Sequence, residues 1–289
     1  MYWAFIVNPT AGTGFALAAM CNLEKLMKQK GIEYKTFHTE YPGHATEISK
    51  ELAAQDKVYA VVAVGGDGTA AEVAAGLCKT GKPMGIIPAG TGNDFIKSVG
   101  IPNNPEKALD LMLTRKPAET DTGTVNGDFF LNVCGTGFDV TVLDYAESEK
   151  KRHRGLTPYF LGLLKAIFHY QSVRLKIFAD EKLIEGRFLV CSIANGCYIG
   201  GGIPICPKAD PADGRLDLVM IKHRPRWQIP FYLPGLMLSR DLNFKITSHM
   251  LVSSVLIEGE GMRFNIDGAI RQMEKAEFII NPASLRLIR

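Results

Sequence analysis

The chain has 289 residues, 46% hydrophobic and 22% charged, with 33 basic residues against 30 acidic ones for a net charge of +3. This length suits two domains rather than one small core, and the composition excludes a disordered or fibrous chain. The charge balance excludes a protein held mainly on nucleic acid by a basic surface.

The first part alternates strand and helix. Strands are expected at 3–7, 32–39, 58–64 and 84–88, and helices at 15–30, 45–55, 70–79, 94–99 and 105–113. Such alternation predicts a parallel sheet covered on both faces, with ligands beyond the C-terminal strand ends. After Pro117 the rhythm changes. Asn126-Gly127 between two apolar runs marks a hairpin. Further strands are expected at 173–179, 183–193, 216–222, 244–247, 253–258, 262–266 and 277–280, interrupted by one helix at 156–170. The fold class is therefore an α/β nucleotide-binding domain (1–118) plus a β-rich antiparallel sandwich domain (119–280), with a cleft between them. Whether residues 281–289 return to the first domain is left open by the sequence.

Six cysteines at 21, 78, 134, 191, 197 and 206 form no CxxC pair, and no histidine pair stands at zinc spacing. They read as reduced core thiols of a cytoplasmic protein. No apolar run reaches the ~18 residues of a membrane span, and MYWAFIVNPTAG reads as a strand rather than a leader.

Three small-residue loops follow predicted strands: NPTAGTG (8–14), GGDGT (65–69) and PAGTGNDF (88–95). Bare backbone between a strand and a helix lets N–H groups converge on an anion. Three such loops at one sheet edge suggest a single nucleotide phosphate site. An aspartate among phosphates repels them unless a divalent cation intervenes, so Asp67 is read as a direct or water-mediated Mg²⁺ contact. The competing reading is a tight turn whose Asp makes local backbone bonds.

Asn8-Pro9, Gly65-Gly66-Asp67-Gly68-Thr69 with Glu72, and Gly90-Thr91-Gly92-Asn93-Asp94 resemble the catalytic fold of the diacylglycerol kinase family, which includes bacterial lipid kinases and sphingosine kinases. The likeness to NAD kinases and phosphofructokinases is more distant. ANGCYIGGGIPICPKADPADGRLDLVMI (194–221) and NIDGAI (265–270) extend the resemblance in order along nearly the whole chain.

The resemblance implies an ATP- and Mg²⁺-dependent kinase acting on diacylglycerol or a related lipid alcohol. It implies ATP contacts at Asn8, Pro9, Thr10, Ala11, Gly12, Thr39, Gly65, Gly66, Asp67, Gly68, Thr69, Glu72 and Thr91. It also implies a Mg²⁺ held by Asp210, Asp213 and the carbonyl of Arg215, with Asp67, Asp267 and Lys151 in catalytic roles. Two positions depart from the family. Its late Asp-Gly-Glu reads Asp-Gly-Ala here, with Ala269 in place of the glutamate, and a loop lysine is Thr13. Asp267 alone, or Glu258, Glu260 or Glu274 reaching in, would then take the proton. The alternatives are an NAD kinase-like enzyme and a catalytically weak nucleotide-binding regulator. Bases, Trp227 and apolar residues at 221–240, with the amphipathic stretch at 156–170, are expected to give peripheral contact at the inner membrane surface. Edge strands leave a homodimer open.

Overall fold

The computed structural model describes residues 1–149, 157–238 and 246–289. Contacts divide them into two compact units, Met1–Thr122 with Pro282–Arg289, and Gly123–Asn281.

In the first unit the chain runs β1 (Tyr2–Val7), α1 (Phe15–Gln29), β2 (Tyr34–His38), α2 (His44–Ala53), β3 (Val58–Gly65), α3 (Asp67–Leu77), β4 (Pro83–Pro88), α4 (Asp94–Ser98), α5 (Pro105–Thr114) and the start of β5 (Pro117–Val125). β2, β1, β3 and β4 pair in that order, all parallel. The end of β17 (Lys275–Ile288) adds beside β4 through Arg286 and Leu287. Residues 4–7 of β1 and 60–65 of β3 are buried without a break. A strand buried at every position has both faces covered, which is why these strands read as continuous apolar runs. Residues 282–289 thus return to the first unit.

In the second unit follow β6 (Asp128–Phe130), β7 (Val133–Gly137), α6 (Phe138–Glu149), α7 (Thr157–His169), β8 (Val173–Ala179), β9 (Lys182–Ala194), β10 (Tyr198–Ile199), β11 (Ile203–Pro204), β12 (Leu216–Lys222), α8 (Ile229–Leu238), β13 (Thr247–Val252), β14 (Ser254–Glu258), β15 (Arg263–Ile266), β16 (Ala269–Gln272) and most of β17. Its pairings are antiparallel: β9 takes β7, β8 and β12, β13 joins β12, and β14 joins β8 and β17. Asn126 and Gly127 both have positive φ, so the β5–β6 hairpin turns as the sequence predicts.

Two helices were not expected, α6 and α8. β12 explains them. Leu216, Leu218 and Met220 face one core with Phe130, Ile177, Phe264 and Phe278. Val219 and Ile221 face another, built with Phe138, Leu163, Ile167 and Ile229 from the helices and with Tyr170 just past α7. A strand apolar on both faces requires a helical cover that a one-faced sandwich does not.

Candidate functional site

The three small-residue loops follow β1, β3 and β4 at the C-terminal ends of neighbouring parallel strands. They interlock through side-chain and backbone bonds. Asn8 Nδ2 donates to Thr69 Oγ1 at 3.1 Å, while Asn8 Oδ1 accepts from the Thr10 N–H and hydroxyl. The Ala89 N–H donates to the Gly65 carbonyl at 2.7 Å. A methyl on Gly12 would stand 2.3 Å from the Ala89 carbonyl oxygen, and one on Gly90 would stand 2.3 Å from the Gly66 Cα. On Gly65 it would stand 2.4 Å from Thr69 Oγ1. Much of the glycine signal therefore comes from loops packing on one another.

Gly68 is different. Nothing lies within 4 Å of where its Cβ would be, and its φ is not positive. It sits in the first turn of α3, where glycine costs up to about 1 kcal/mol relative to alanine. Neither packing nor backbone geometry requires it. Thr10 and Thr91 are exposed like Gly68, Pro9 and Ala11 are half-buried, and Thr69 is buried.

Asp67 opens α3, so the helix begins three residues earlier than the sequence indicates. Its Oδ1 accepts the N–H groups of Asp94 and Phe95 at 2.7 and 3.1 Å, tying the second loop to the third. Burial, then the nearby Asp94 carboxylate, pushes the Asp67 carboxyl above its ordinary range, against those two N–H bonds and Lys97. Lys97 Nζ meets Asp94 Oδ1 at 2.8 Å and the Gly92 carbonyl at 2.9 Å. One buried and one half-buried carboxylate stand together here, with Lys97 already on one of them, and a divalent cation would relieve their remaining repulsion.

Glu72 and Thr39 sit further back. Glu72 Oε2 accepts the Ala45 N–H at 3.2 Å at the start of α2, and its carbonyl accepts the Thr46 hydroxyl. Thr39, half-buried after β2, donates its N–H to the Val7 carbonyl.

In the second unit, Asp210, Asp213 and Arg215 share one exposed turn before β12. Asp210 Oδ1 accepts the Ala212 N–H and Asp213 Oδ1 the Arg215 N–H. Two carboxylates and nearby carbonyls in one turn are hard oxygen donors of the kind a Mg²⁺ or Ca²⁺ takes.

Asp267 and Gly268 form the turn between β15 and β16, with φ of 46° and 97°. The Asp267 carboxylate accepts three backbone N–H groups, from Leu131 at 2.6 Å, Asn132 at 2.9 Å and Val133 at 3.1 Å. Ala269 is exposed beside it. Glu258, Glu260 and Glu274 belong to the opposite end of this hairpin, where Met262 and Met273 pair. Four strand residues put roughly 13 Å between the two ends, so none of these glutamates substitutes for the missing one at the Asp267 turn. A groove of about 560 Å³ adjoins Gly268, lined by Leu143, Asp144, Ser148, Arg263 and Ile270. Arg263 forks onto Asp144 at 2.6 and 2.7 Å across it. Lys151 lies outside the described residues.

Asp139 escaped the sequence reading. It lies in the first turn of α6, is 9% exposed, and neither carboxylate oxygen has a well-formed hydrogen bond. Gly135 makes room for it, since a methyl there would stand 2.3 Å from Asp139 Oδ2. Burial raises its pKa to about 7, with the Val140 N–H and the Asn265 amide compensating only in part. A folded-state pKa above the unfolded one contributes stability that is full at low pH and lost as pH rises through the folded value. Between pH 5 and pH 8 the stability of the wild type relative to Asp139→Asn should fall by about 2–3 kcal/mol. Urea unfolding of both proteins across that range tests it, and a flat difference would contradict it.

The fold is shared with known proteins. Residues 2–125 match the model of the diacylglycerol kinase catalytic domain, and residues 132–289 match that of the YegS C-terminal NAD kinase beta sandwich-like domain. A diacylglycerol kinase of Mycobacterium tuberculosis (strain CDC 1551 / Oshkosh) is 28% identical over 98% of this chain and 94% of its own. A Pseudomonas aeruginosa (strain UCBPP-PA14) protein named "Probable lipid kinase YegS-like" is 32% identical over 90% of this chain and 86% of its own. A crystal structure from Bacillus anthracis str. Sterne, proposed to be a diacylglycerol kinase, superposes with a TM-score of 0.80 at 26% identity, covering 99% of this chain and 96% of that one. With both parts matched in order, the chain belongs to the diacylglycerol kinase-like family of lipid kinases, YegS type.

Proposed function

We propose that this protein transfers the γ-phosphoryl group of ATP to the hydroxyl of diacylglycerol or a related lipid alcohol. The observation that carries the reading is the exposed Gly68 among three interlocked loops at the C-terminal edge of a parallel sheet. Nothing internal requires a bare backbone there, and a triphosphate does. In the reaction the lipid oxygen bonds to the γ-phosphorus, the bond to ADP breaks, and the hydroxyl proton passes to a carboxylate or to water.

Asn8 fixes the first loop on Thr69, and Asp67 fixes the third on the second, so the N–H groups stand ready without reorganisation. Asp67 is the carboxylate that would face a Mg²⁺, while Asp210, Asp213 and the Arg215 carbonyl would hold a second. A Mg²⁺ held there would neutralise charge on the phosphates. Asp267 holds residues 131–133 beside the groove in which the lipid headgroup is proposed to lie.

The test is transfer of label from Mg·ATP into mixed micelles of candidate lipids, with Asp67→Ala as control and NAD as a competing acceptor. Label in a lipid, lost in the control, supports the reading. Label in NAD instead would replace it, and bound ATP without transfer to either acceptor would point to the regulator.

A surface for the bilayer supports the same reading. No described helix is long and apolar enough to cross a membrane. Phe160, Leu164 and Phe168 form an i, i+4, i+8 stripe on α7, all exposed, with Phe168 at 70%. Trp227 and Phe231 are exposed at 69% and 77% around the start of α8. The two elements meet at Tyr170, whose carbonyl accepts from Arg226 Nε and whose hydroxyl donates to the Arg224 carbonyl. Aromatic side chains held open on a folded scaffold suit an interface. The pair Phe168→Ser with Trp227→Ser should reduce sedimentation with anionic vesicles at least about tenfold, since two buried aromatics contribute more than 1.4 kcal/mol. Unchanged sedimentation would remove this surface from the proposal.

A further inference from the structure

The second unit also brings together three side chains of different donor type. Among the described residues, Cys206, Asp217 and His249 form a group whose sulfur, oxygen and nitrogen atoms all lie within 4.8 Å of one another. The fold positions each. Asp217 pairs with Leu251 and Val219 with His249 across the antiparallel β12–β13 ladder, so Asp217 and His249 are diagonal neighbours on one face. Cys206 arrives from the loop after β11. Its N–H donates to the Cys197 carbonyl at 3.1 Å, and its carbonyl accepts from the Ala209 N–H at 3.1 Å.

We propose that Cys206, Asp217 and His249 are the protein ligands of a zinc ion, with water in the fourth position. A thiol, an imidazole and a carboxylate are the three donor types that zinc accepts together, and the sulfur excludes a hard cation such as Mg²⁺. The site is therefore distinct from the Asp210–Arg215 turn, although β12 connects them, and it does not depend on the kinase reading.

The burial supports the assignment. The Asp217 side chain is 1% exposed and its salt-bridge partner is His249, at 2.5 Å and 36% exposed. Cys206 is 1% exposed. Placing a carboxylate there costs several kcal/mol unless a positive charge stays with it, and a divalent ion supplies that charge fully. In a tetrahedral zinc site the N and O ligands stand roughly 3.3 Å apart. The His249–Asp217 contact is shorter than that, so it opens by somewhat under ~1 Å as the ion enters. The Cys206 proton leaves to water on binding. The exposed edge of His249 gives the ion a way in. Once bound, the ion clips the 205–209 loop to the β12–β13 pair.

The full chain, stripped with a chelator, should be titrated with Co²⁺ and then Zn²⁺. We expect one equivalent of cobalt to give a thiolate-to-cobalt charge-transfer band with tetrahedral d–d intensity, and one equivalent of zinc to remove it. Cys206→Ser should abolish the band. His249→Gln, at a partly exposed position that should fold, should weaken zinc affinity at least about tenfold and remove the rise in Tm that zinc gives the wild type. Cys21→Ser and Asp213→Asn should leave the band in place. Absence of the band in folded wild type, its survival in Cys206→Ser, or an equal zinc-induced Tm shift in His249→Gln would each overturn the site.

Discussion

Gly68→Ala should fold at least as stably as the wild type and still bind Mg·ATP at least about tenfold more weakly, a loss of ~1.4 kcal/mol or more. Gly12→Ala should do the reverse and damage the fold first. The contrast follows from where each methyl would go. At Gly68 it enters open space on the first turn of α3, where alanine is favoured over glycine by up to about 1 kcal/mol. Any penalty must then fall on a ligand. At Gly12 the methyl would lie 2.3 Å from the Ala89 carbonyl oxygen, at a φ of 58°. Both faults push the first loop off the third, and overpacking against backbone with left-handed strain costs about 2–4 kcal/mol. Calorimetry of ATP binding beside thermal unfolding of each variant separates the effects. Gly68→Ala binding ATP as the wild type does would remove the observation on which the nucleotide site rests.

The parallel sheet was legible because its strands are buried on both faces and so carry unbroken apolar runs, as in VVAVG at the end of β3. The loops were legible through their small residues, but their internal reason was not. Sequence spacing does not show that Asp67 is spent on the N–H groups of Asp94 and Phe95, or that Glu72 reaches the start of α2. Both bonds depend on which loops lie side by side. The β-rich half was legible as strands, since β8 and β12 stand where alternation and apolar runs place them. α6 and α8 were missed. The first is rich in β-branched and acidic residues, the second carries prolines, and both are stabilised by packing on a sheet rather than by propensity. Cys206, Asp217 and His249 illustrate the same limit. Metal motifs are recognised by short spacing, and Asp217 and His249 are 32 residues apart, joined only by a strand ladder.

Asp267→Asn is expected to destabilise the second unit by about 2–4 kcal/mol, whatever it does to turnover. The carboxylate accepts three backbone N–H groups on two oxygens. Bonds to a charged acceptor contribute about 1.5–3 kcal/mol each when a partner is lost. Asparagine keeps one acceptor for Asn132 and Val133 but turns an amide N–H toward the Leu131 N–H, donor against donor. Asp267→Ala leaves all three donors unmet and should cost more. Aspartate and asparagine both tolerate the left-handed φ of 46°, so backbone strain does not separate the first variant from the wild type. The expected result is a lower urea midpoint for the second unit in the order wild type, Asn, Ala. Lipid phosphorylation is to be compared per folded molecule, below the unfolding transition. If Asp267 serves only to hold residues 131–133, that specific rate falls in step with the lost order of the loop, further for Ala than for Asn. If Asp267 takes the hydroxyl proton, Asn and Ala abolish it alike while the stabilities still differ. The three donors favour the first outcome. A carboxylate that already accepts three backbone N–H groups is placed to position a loop, and Ala269 beside it offers no second acid to take the proton.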